Sequence, residues 1–240
     1  MALYFRQWLA GRDFAPANPF AGQMANFVYA VGDDRTRECV LVDPAWDVPG
    51  LLERLERDGM TLTGALVTHY HPDHVGGGFM GFPIEGLGEL QARRPVPVHA
   101  NAEEIEGLVT VTGLSRSDFR PVQSGDRLSV GDVDVEFIHT PGHTPGSQCF
   151  LVAPGRPGAR LVSGDTLFIG ACGRVDLPGA DPAAMYESLT QKLAKLPDDV
   201  VLFPGHDYGE LPSEPLGEQK RKNRFLRVPS LEAWLRLMAR

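Results

Sequence analysis

The chain has 240 residues, 42% of them hydrophobic, which is enough for one domain with a substantial core and does not demand a second. With 31 acidic against 23 basic residues its net charge is -8, which repels polyphosphate backbones and argues against a general nucleic-acid binder, leaving a small-molecule substrate as the expected partner. Three cysteines, Cys39, Cys149 and Cys172, contain no Cys-x-x-Cys pair and give no disulfide framework, so a reducing, cytoplasmic setting is expected.

From Met1 to Trp8 there is no basic segment followed by a long apolar one. No run of about 18 apolar residues occurs later, so neither export nor membrane spanning is expected. In chain order, short aliphatic or β-branched runs predict strands at 27–31 and 39–42. Asp47 then caps a predicted helix whose buried face is Val48, Leu51, Leu52 and Leu55, spaced i, i+3, i+4, i+7. A strand at 65–67 leads into His69-Tyr70-His71-Pro72-Asp73-His74. The stretch 76–125 opens with Gly76-Gly77-Gly78, Gly81, Gly86 and Gly88 crowded together. It predicts a long irregular loop acting as a lid or substrate wall, interrupted by a strand at 96–98 and by Asn101 and Glu104 in the pattern of a capping box. Strands follow at 133–138, 149–152, 161–162 and 200–203. Asp181 and Pro182 open a helix with Met185, Leu189, Leu193 and Leu196 on one side. Ser230 caps a last helix with the stripe Leu231, Trp234, Leu235 and Met238. Strands in groups with helices interspersed imply an α+β chain in which sheets pack on each other under outer helices. One domain over 1–240 is expected, with a short helical tail at about 213–240.

Three of the seven histidines fall within six residues at the end of the strand Ala65-Leu66-Val67. His69 and His71 stand at i and i+2, so on an extended backbone both imidazoles face one side and can meet one cation. Pro72 prevents helix at the residues before it and turns the chain so that Asp73 and His74 are re-aimed. Imidazole and carboxylate are ligands of zinc, iron and manganese, and four such groups within six residues can serve two adjacent ions. Three further candidates each follow an apolar strand at a Gly-rich or Pro-rich turn: His143 in Thr140-Pro141-Gly142-His143, Asp165 in Ser163-Gly164-Asp165, and His206 in Pro204-Gly205-His206. Any one of these histidines alone would read as an ordinary core or surface residue; together they read as a metal site. His99 has no partner at ligand spacing and reads as structural, while His139 could support a ligand.

This pattern resembles the metallo-β-lactamase superfamily, with its motifs in the same order from about Asn26 to Tyr208. The resemblance implies an αββα four-layer sandwich with two divalent metal ions, zinc, iron or manganese, at one edge of the sheets. One ion would take His69, His71 and His143, the other Asp73, His74 and His206, with Asp165 bridging both. Asp43 would be a supporting residue. Two such ions would lower the pKa of a shared water toward about 7, giving a metal-bound hydroxide as nucleophile, and would polarise a substrate carbonyl. Asp73 is the expected catalytic residue, orienting that water or taking its proton.

Within the superfamily the chain most resembles the glyoxalase II and persulfide dioxygenase branch, through Gly164-Asp165-Thr166-Leu167-Phe168, Cys172-Gly173-Arg174 and Pro204-Gly205-His206-Asp207-Tyr208. That likeness implies hydrolysis of a thioester such as an acyl-glutathione, with Arg174 and Tyr208 contacting the thiol moiety. A guanidinium suits such a role because it can clamp a carboxylate with two bonds. The run from Lys220 to Arg227 reads either as a solvated helix face or, by its similarity to the family's Asn-Pro-Phe-Leu-Arg stretch, as an anion subsite that includes Arg227. The sequence departs from glyoxalase II at Asp176, where that enzyme has an aromatic residue, and in the shorter segment after His206. The alternative reading is a mononuclear iron persulfide dioxygenase holding one Fe(II) through His69, His143 and Asp165. A hydrolase of another ester, a lactone or a β-lactam also stays open. A non-catalytic or nucleic-acid-processing member of the fold is opposed by the complete ligand set and the negative charge.

Overall fold

The computed structural model of the protein describes residues 2–79 and 81–239. Two six-stranded sheets form its centre, each with its strands side by side in chain order. The first contains β1 (Leu3–Leu9), β2 (Phe27–Asp33), β3 (Glu38–Val42), β4 (Thr61–Leu66), β5 (Val98–Asn101) and β6 (Phe119–Val122). The second contains β7 (Arg127–Val130), β8 (Val133–His139), β9 (Gln148–Val152), β10 (Arg160–Val162), β11 (Val201–Phe203) and β12 (Glu214–Pro215).

Side-chain alternation along the strands sorts the apolar residues into three cores. In β2, where every residue is buried, Phe27, Tyr29 and Val31 face the second sheet and meet Val133, Val135, Phe137 and Phe150. Val28 and Ala30, pointing the opposite way, pack with Val48, Leu51 and Leu55 of the helix Val48–Arg57. On the far face of the second sheet, Cys149, Leu151 and Leu161 lie against Met185, Leu189 and Trp234 from the helices at 182–195 and Leu231–Met238. The layers therefore run helix, sheet, sheet, helix, the αββα sandwich expected from the sequence.

Parallel pairing decides where the functional turns emerge. β3 and β4 are parallel with Val42 opposite Leu66, so the residues after both strands leave the sheet side by side. In the second sheet β10 and β11 are parallel with Val162 opposite Phe203, which delivers Asp165 and His206 to the same edge. Turns at the carboxyl ends of parallel strands are where α/β proteins place their chemistry.

Several local expectations are corrected. The stretch 76–125 is not a long irregular loop: it holds a hairpin (Gly77–Phe79 with Phe82–Ile84), the helices Leu87–Arg93 and Ile105–Thr112, and strands β5 and β6. Its glycines allow close approaches between backbone segments, as where Gly76 packs against Gly86. Asn101 does cap the following turn, accepting from the Glu103 N–H, but Glu104 does not reach back to complete a capping box; its carboxylate turns inward. On the last helix Ser230 caps as expected and Trp234 is fully buried, yet Leu231 and Leu235 are exposed. β1 and β6 were not foreseen because Arg6 and Gln7 break the apolar pattern of one and Pro121 interrupts the other. Both are edge strands, where a missing N–H or a polar side chain is tolerated.

Candidate metal centre

Four turns bring the candidate ligands together. His69 and His71 leave β4 in extended conformation, and Pro72 opens a single helical turn, Pro72–Val75, that presents Asp73 and His74. Proline at that first position has no N–H to lose and a φ already helical. His143 stands in the tight turn between β8 and β9, Asp165 in the turn after β10, and His206 in the turn after β11. An isolated bridge between Asn26 and His206 ties the start of β2 to the second sheet at this edge.

The ligand atoms form two groups within 4.8 Å spans, His69 with His71 and His143, and Asp73 with His74 and His206. In the first, His71 Nδ1 lies 3.1 Å from His69 Nε2 and 3.0 Å from His143 Nε2. In the second, His74 Nε2 and His206 Nε2 are 3.2 Å apart, and Asp73 Oδ2 is 3.4 Å from each. These spacings match the roughly 3.3 Å edge of a tetrahedron whose bonds to a central zinc-sized ion are about 2.0–2.1 Å. Asp165 stands between the groups, Oδ1 3.4 Å from His74 Nε2, and Oδ2 3.3 Å from His206 Nε2 and 3.6 Å from His143 Nε2. Its Oδ1 is buried without a hydrogen-bond partner. An orphaned carboxylate oxygen beside a cluster of imidazole nitrogens fits a cation rather than a protein donor. Asp43, with His69 and His74, makes a third close set, but its carboxylate is already used, accepting from Thr68 N, Thr68 Oγ1 and His74 Nδ1. It supports ligands rather than adding one.

The outer ring nitrogens are held as metal-binding histidines require. His143 Nδ1 donates to the Arg174 carbonyl at 2.8 Å, His206 Nδ1 to the Met24 carbonyl at 2.6 Å, and His74 Nδ1 to Asp43 at 2.9 Å. Each bond leaves the Nε2 lone pair aimed at the centre. Asn26 Nδ2 donates to Asp73 Oδ2 at 2.9 Å, and Trp46 Nε1 fixes Asn26 through its Oδ1 at 3.0 Å.

Electrostatics divide the ligands. Burial works against a proton on His74, but the carboxylates of Asp73, Asp165 and Asp43 outweigh it and push the imidazole up to about 10. Burial, with His143 and His74 beside it, drives His71 down to about 4, and His69 is held well below its ordinary value by burial and the same neighbouring imidazoles. Burial favours the acid form of Asp165, yet His206 and His74 keep its carboxyl well below the usual range. Away from the ligands, burial pushes Glu104 up to about 7 although three donors favour its ionised form.

A cavity of about 490 Å³ opens over His71, Asp73, His143, Asp165 and His206, walled by Met24, Pro72, Phe168, Leu177, Arg174 and Tyr208. A larger hollow of about 790 Å³ beside the glycine-rich hairpin contains none of these ligands. Tyr208 stacks on His206 with centroids 4.6 Å apart and planes at 10°. Arg174 reaches the rim with its guanidinium doubly bonded to Asp176, both bonds 2.9 Å. Arg227 lies outside the cavity lining and donates to the Arg221 carbonyl, while Lys220, Arg221 and Lys222 pair with Asp198, Glu214 and Glu218 on the surface. His139 bonds the Pro145 carbonyl in the His143 turn, and His99 packs near Phe137 between the sheets. Three polar supports escaped the sequence reading: Asn26, Trp46 and Glu104. Each acts through partners far away in sequence, so no local pattern marks it.

A family model described as the metallo-beta-lactamase superfamily matches residues 21–206. The chain is 37% identical over 184 residues to a hydroxyacylglutathione hydrolase of Hahella chejuensis, covering 76% of this chain and 62% of that relative's length. Among solved structures it is similar to ETHE1 from Myxococcus xanthus, with TM-score 0.77 and 28% identity over 98% of this chain and 90% of that one. It is also similar to TTHA1623 in a di-iron-bound form, with TM-score 0.66 and 33% identity over 85% of this chain and 96% of the other.

Proposed function

This chain belongs to the metallo-β-lactamase superfamily, and from that premise we propose that it is a metal-dependent hydrolase of a thioester such as an acyl-glutathione. The observation that carries the reading is the pair of three-residue ligand groups with the orphaned Asp165 oxygen between them. The 37% identity to a hydroxyacylglutathione hydrolase supports the substrate class, although this chain spans only 62% of that enzyme's length. His69, His71 and His143 would hold one divalent ion, Asp73, His74 and His206 a second, and Asp165 would join both. Bound there, such ions supply Lewis acidity and lower the pKa of water toward about 7.

The chain's own residues do the rest. Asp73, steadied by Asn26, turns its carboxylate to the cavity floor, where it accepts a proton from attacking water. Met24, Phe168 and Leu177 give the acyl portion apolar walls that exclude bulk water. Tyr208 and Arg174 stand at the mouth, where the thiol portion would lie.

A second reading, one iron held by His69, His143 and Asp165 for oxidation of a persulfide, draws on Gly173-Arg174-Val175-Asp176 and on Asp165 Oδ2 lying 3.6 Å from His143 Nε2. Metal content measured on purified protein, with thioester cleavage and oxygen uptake assayed in parallel, separates the two. About two ions per chain with thioester cleavage is the expected result. About one iron with oxygen consumed on persulfide would overturn the hydrolase.

A further inference from the structure

Glu104 is fully buried, and its two oxygens take three donors. Oε2 accepts the Tyr70 N–H at 2.7 Å, and Oε1 accepts Thr144 Oγ1 at 2.7 Å and the Gly146 N–H at 2.6 Å. Tyr70 sits between His69 and His71, and Thr144 follows His143. One carboxylate therefore ties together the two turns that carry all three ligands of the first group, one turn from each sheet. None of its hydrogen bonds reaches the turns bearing Asp165 or His206. The second group has other supports: Asp43 on His74, the Met24 carbonyl on His206, and Asn26 on Asp73.

Packing around this carboxylate leaves no slack. A methyl group added at Gly146 would stand 2.7 Å from Glu104 Cγ, and one at Gly107 would stand 2.5 Å from the Tyr70 ring. The segment from Glu104 to Gly107 is thus pressed flush against both turns, which is the task left for the 76–125 stretch once it proves not to be a loop. His71 and His143, 3.0 Å apart at their ligand nitrogens, come from different sheets, so their spacing depends on how these turns are clamped.

We propose that Glu104 is a positioning residue for the His69, His71 and His143 group, setting that group's affinity for a divalent ion while leaving the Asp73, His74 and His206 group nearly unaffected. The inference rests on the reading of both groups as metal ligands. Glu104→Gln keeps the shape but replaces one oxygen with an NH2. Whichever way the amide turns, either the Tyr70 or the Gly146 N–H loses its acceptor, so one turn is released. Loss of a residue that orients ligands typically costs 10- to 100-fold in metal affinity.

The test strips the full chain of metal and titrates Co(II) against a chelator, reading affinity and the visible d–d bands. Bands are assigned to each group with His71→Ala and His206→Ala. Glu104→Gln is expected to weaken one Co(II) by about 10- to 100-fold with a shift of its band, and to change the other by less than about 3-fold. Leu108→Ala, which loosens the same helix without removing a hydrogen bond to either turn, should show no such selectivity. Should Glu104→Gln fail to fold, Thr144→Val removes one of the three donors and should weaken the same ion, with Thr144→Ser restoring it. Equal loss at both groups, or loss at neither, overturns the proposal. A wild type that takes up a single Co(II) would sink the dinuclear reading instead. Glu104 would then stand if its substitution weakens that ion and fall if it does not.

Discussion

His74 and His71, three residues apart, meet opposite electrostatic fates in one cluster. The three carboxylates around His74 overcome burial and raise it to about 10, so it carries a proton at pH 7 in the metal-free chain; His71, pushed to about 4, does not. A metal ligand must be the neutral imidazole, so an ion entering the Asp73, His74 and His206 group displaces a proton and one entering the other group does not. Calorimetric titration in two buffers of different ionisation enthalpy should therefore show at least one proton released per ion at the His74 group near pH 7, since Asp165 and Asp73 also raise His206 there, with affinity rising as pH rises toward 10. No release at that group would contradict the raised pKa. A second expectation concerns His71 itself. His71→Ala should abolish thioesterase activity and remove one of two ions. If iron instead stays bound at about one per chain, the set His69, His143 and Asp165 is the true site.

At the scale of elements, the chain places its ligands in turns that only particular residues can make. Gly142, just before His143, has φ +142°, and an added Cβ would lie 2.5 Å from Met185 Cα. Gly142→Ala therefore meets both strain and a backbone clash, and should cost roughly 2–4 kcal/mol in urea unfolding. It should also weaken metal binding at the His143 group, since relief requires moving the turn. Helix starts were legible for a related reason: Asp47, Asp181 and Ser230 each accept backbone N–H bonds within three residues, a purely local interaction. Edge strands β1 and β6 were not, because their place beside a neighbour tolerates residues such as Gln7 and Pro121 that local pattern reading rejects.

For the whole molecule, the candidate ligands are drawn from both sheets. His69, His71, Asp73 and His74 follow β4 of the first sheet, while His143, Asp165 and His206 come from the second. An ion in either group would thus cross-link both halves of the sandwich. An ion held at a thousandfold its Kd stabilises the folded chain by about 4 kcal/mol. Chelation should lower Tm by roughly 8–16 °C per ion removed for a domain of this size. Tryptophan fluorescence and far-ultraviolet circular dichroism should shift together, since Trp8 lies on the first sheet and Trp234 against the second. A chelated protein with unchanged Tm would mean that neither group holds an ion strongly.

The sequence by itself determined the metal-ligand candidates and the layered architecture. Ligands clustered at the ends of apolar strands, and strands buried on both faces, leave marks within a few residues. Tertiary structure alone decided the placement of Glu104, whose partners lie 34, 40 and 42 residues away along the chain and which in sequence matched a helix cap. It likewise decided that Arg174 is already paired with Asp176, that Arg227 stands outside the cavity, and that 76–125 completes a sheet and packs against the turns bearing the candidate ligands. The physical reason is the same throughout. A hydrogen bond or a ligand sphere depends on distance in space, and parallel strands bring together turns that the chain keeps far apart.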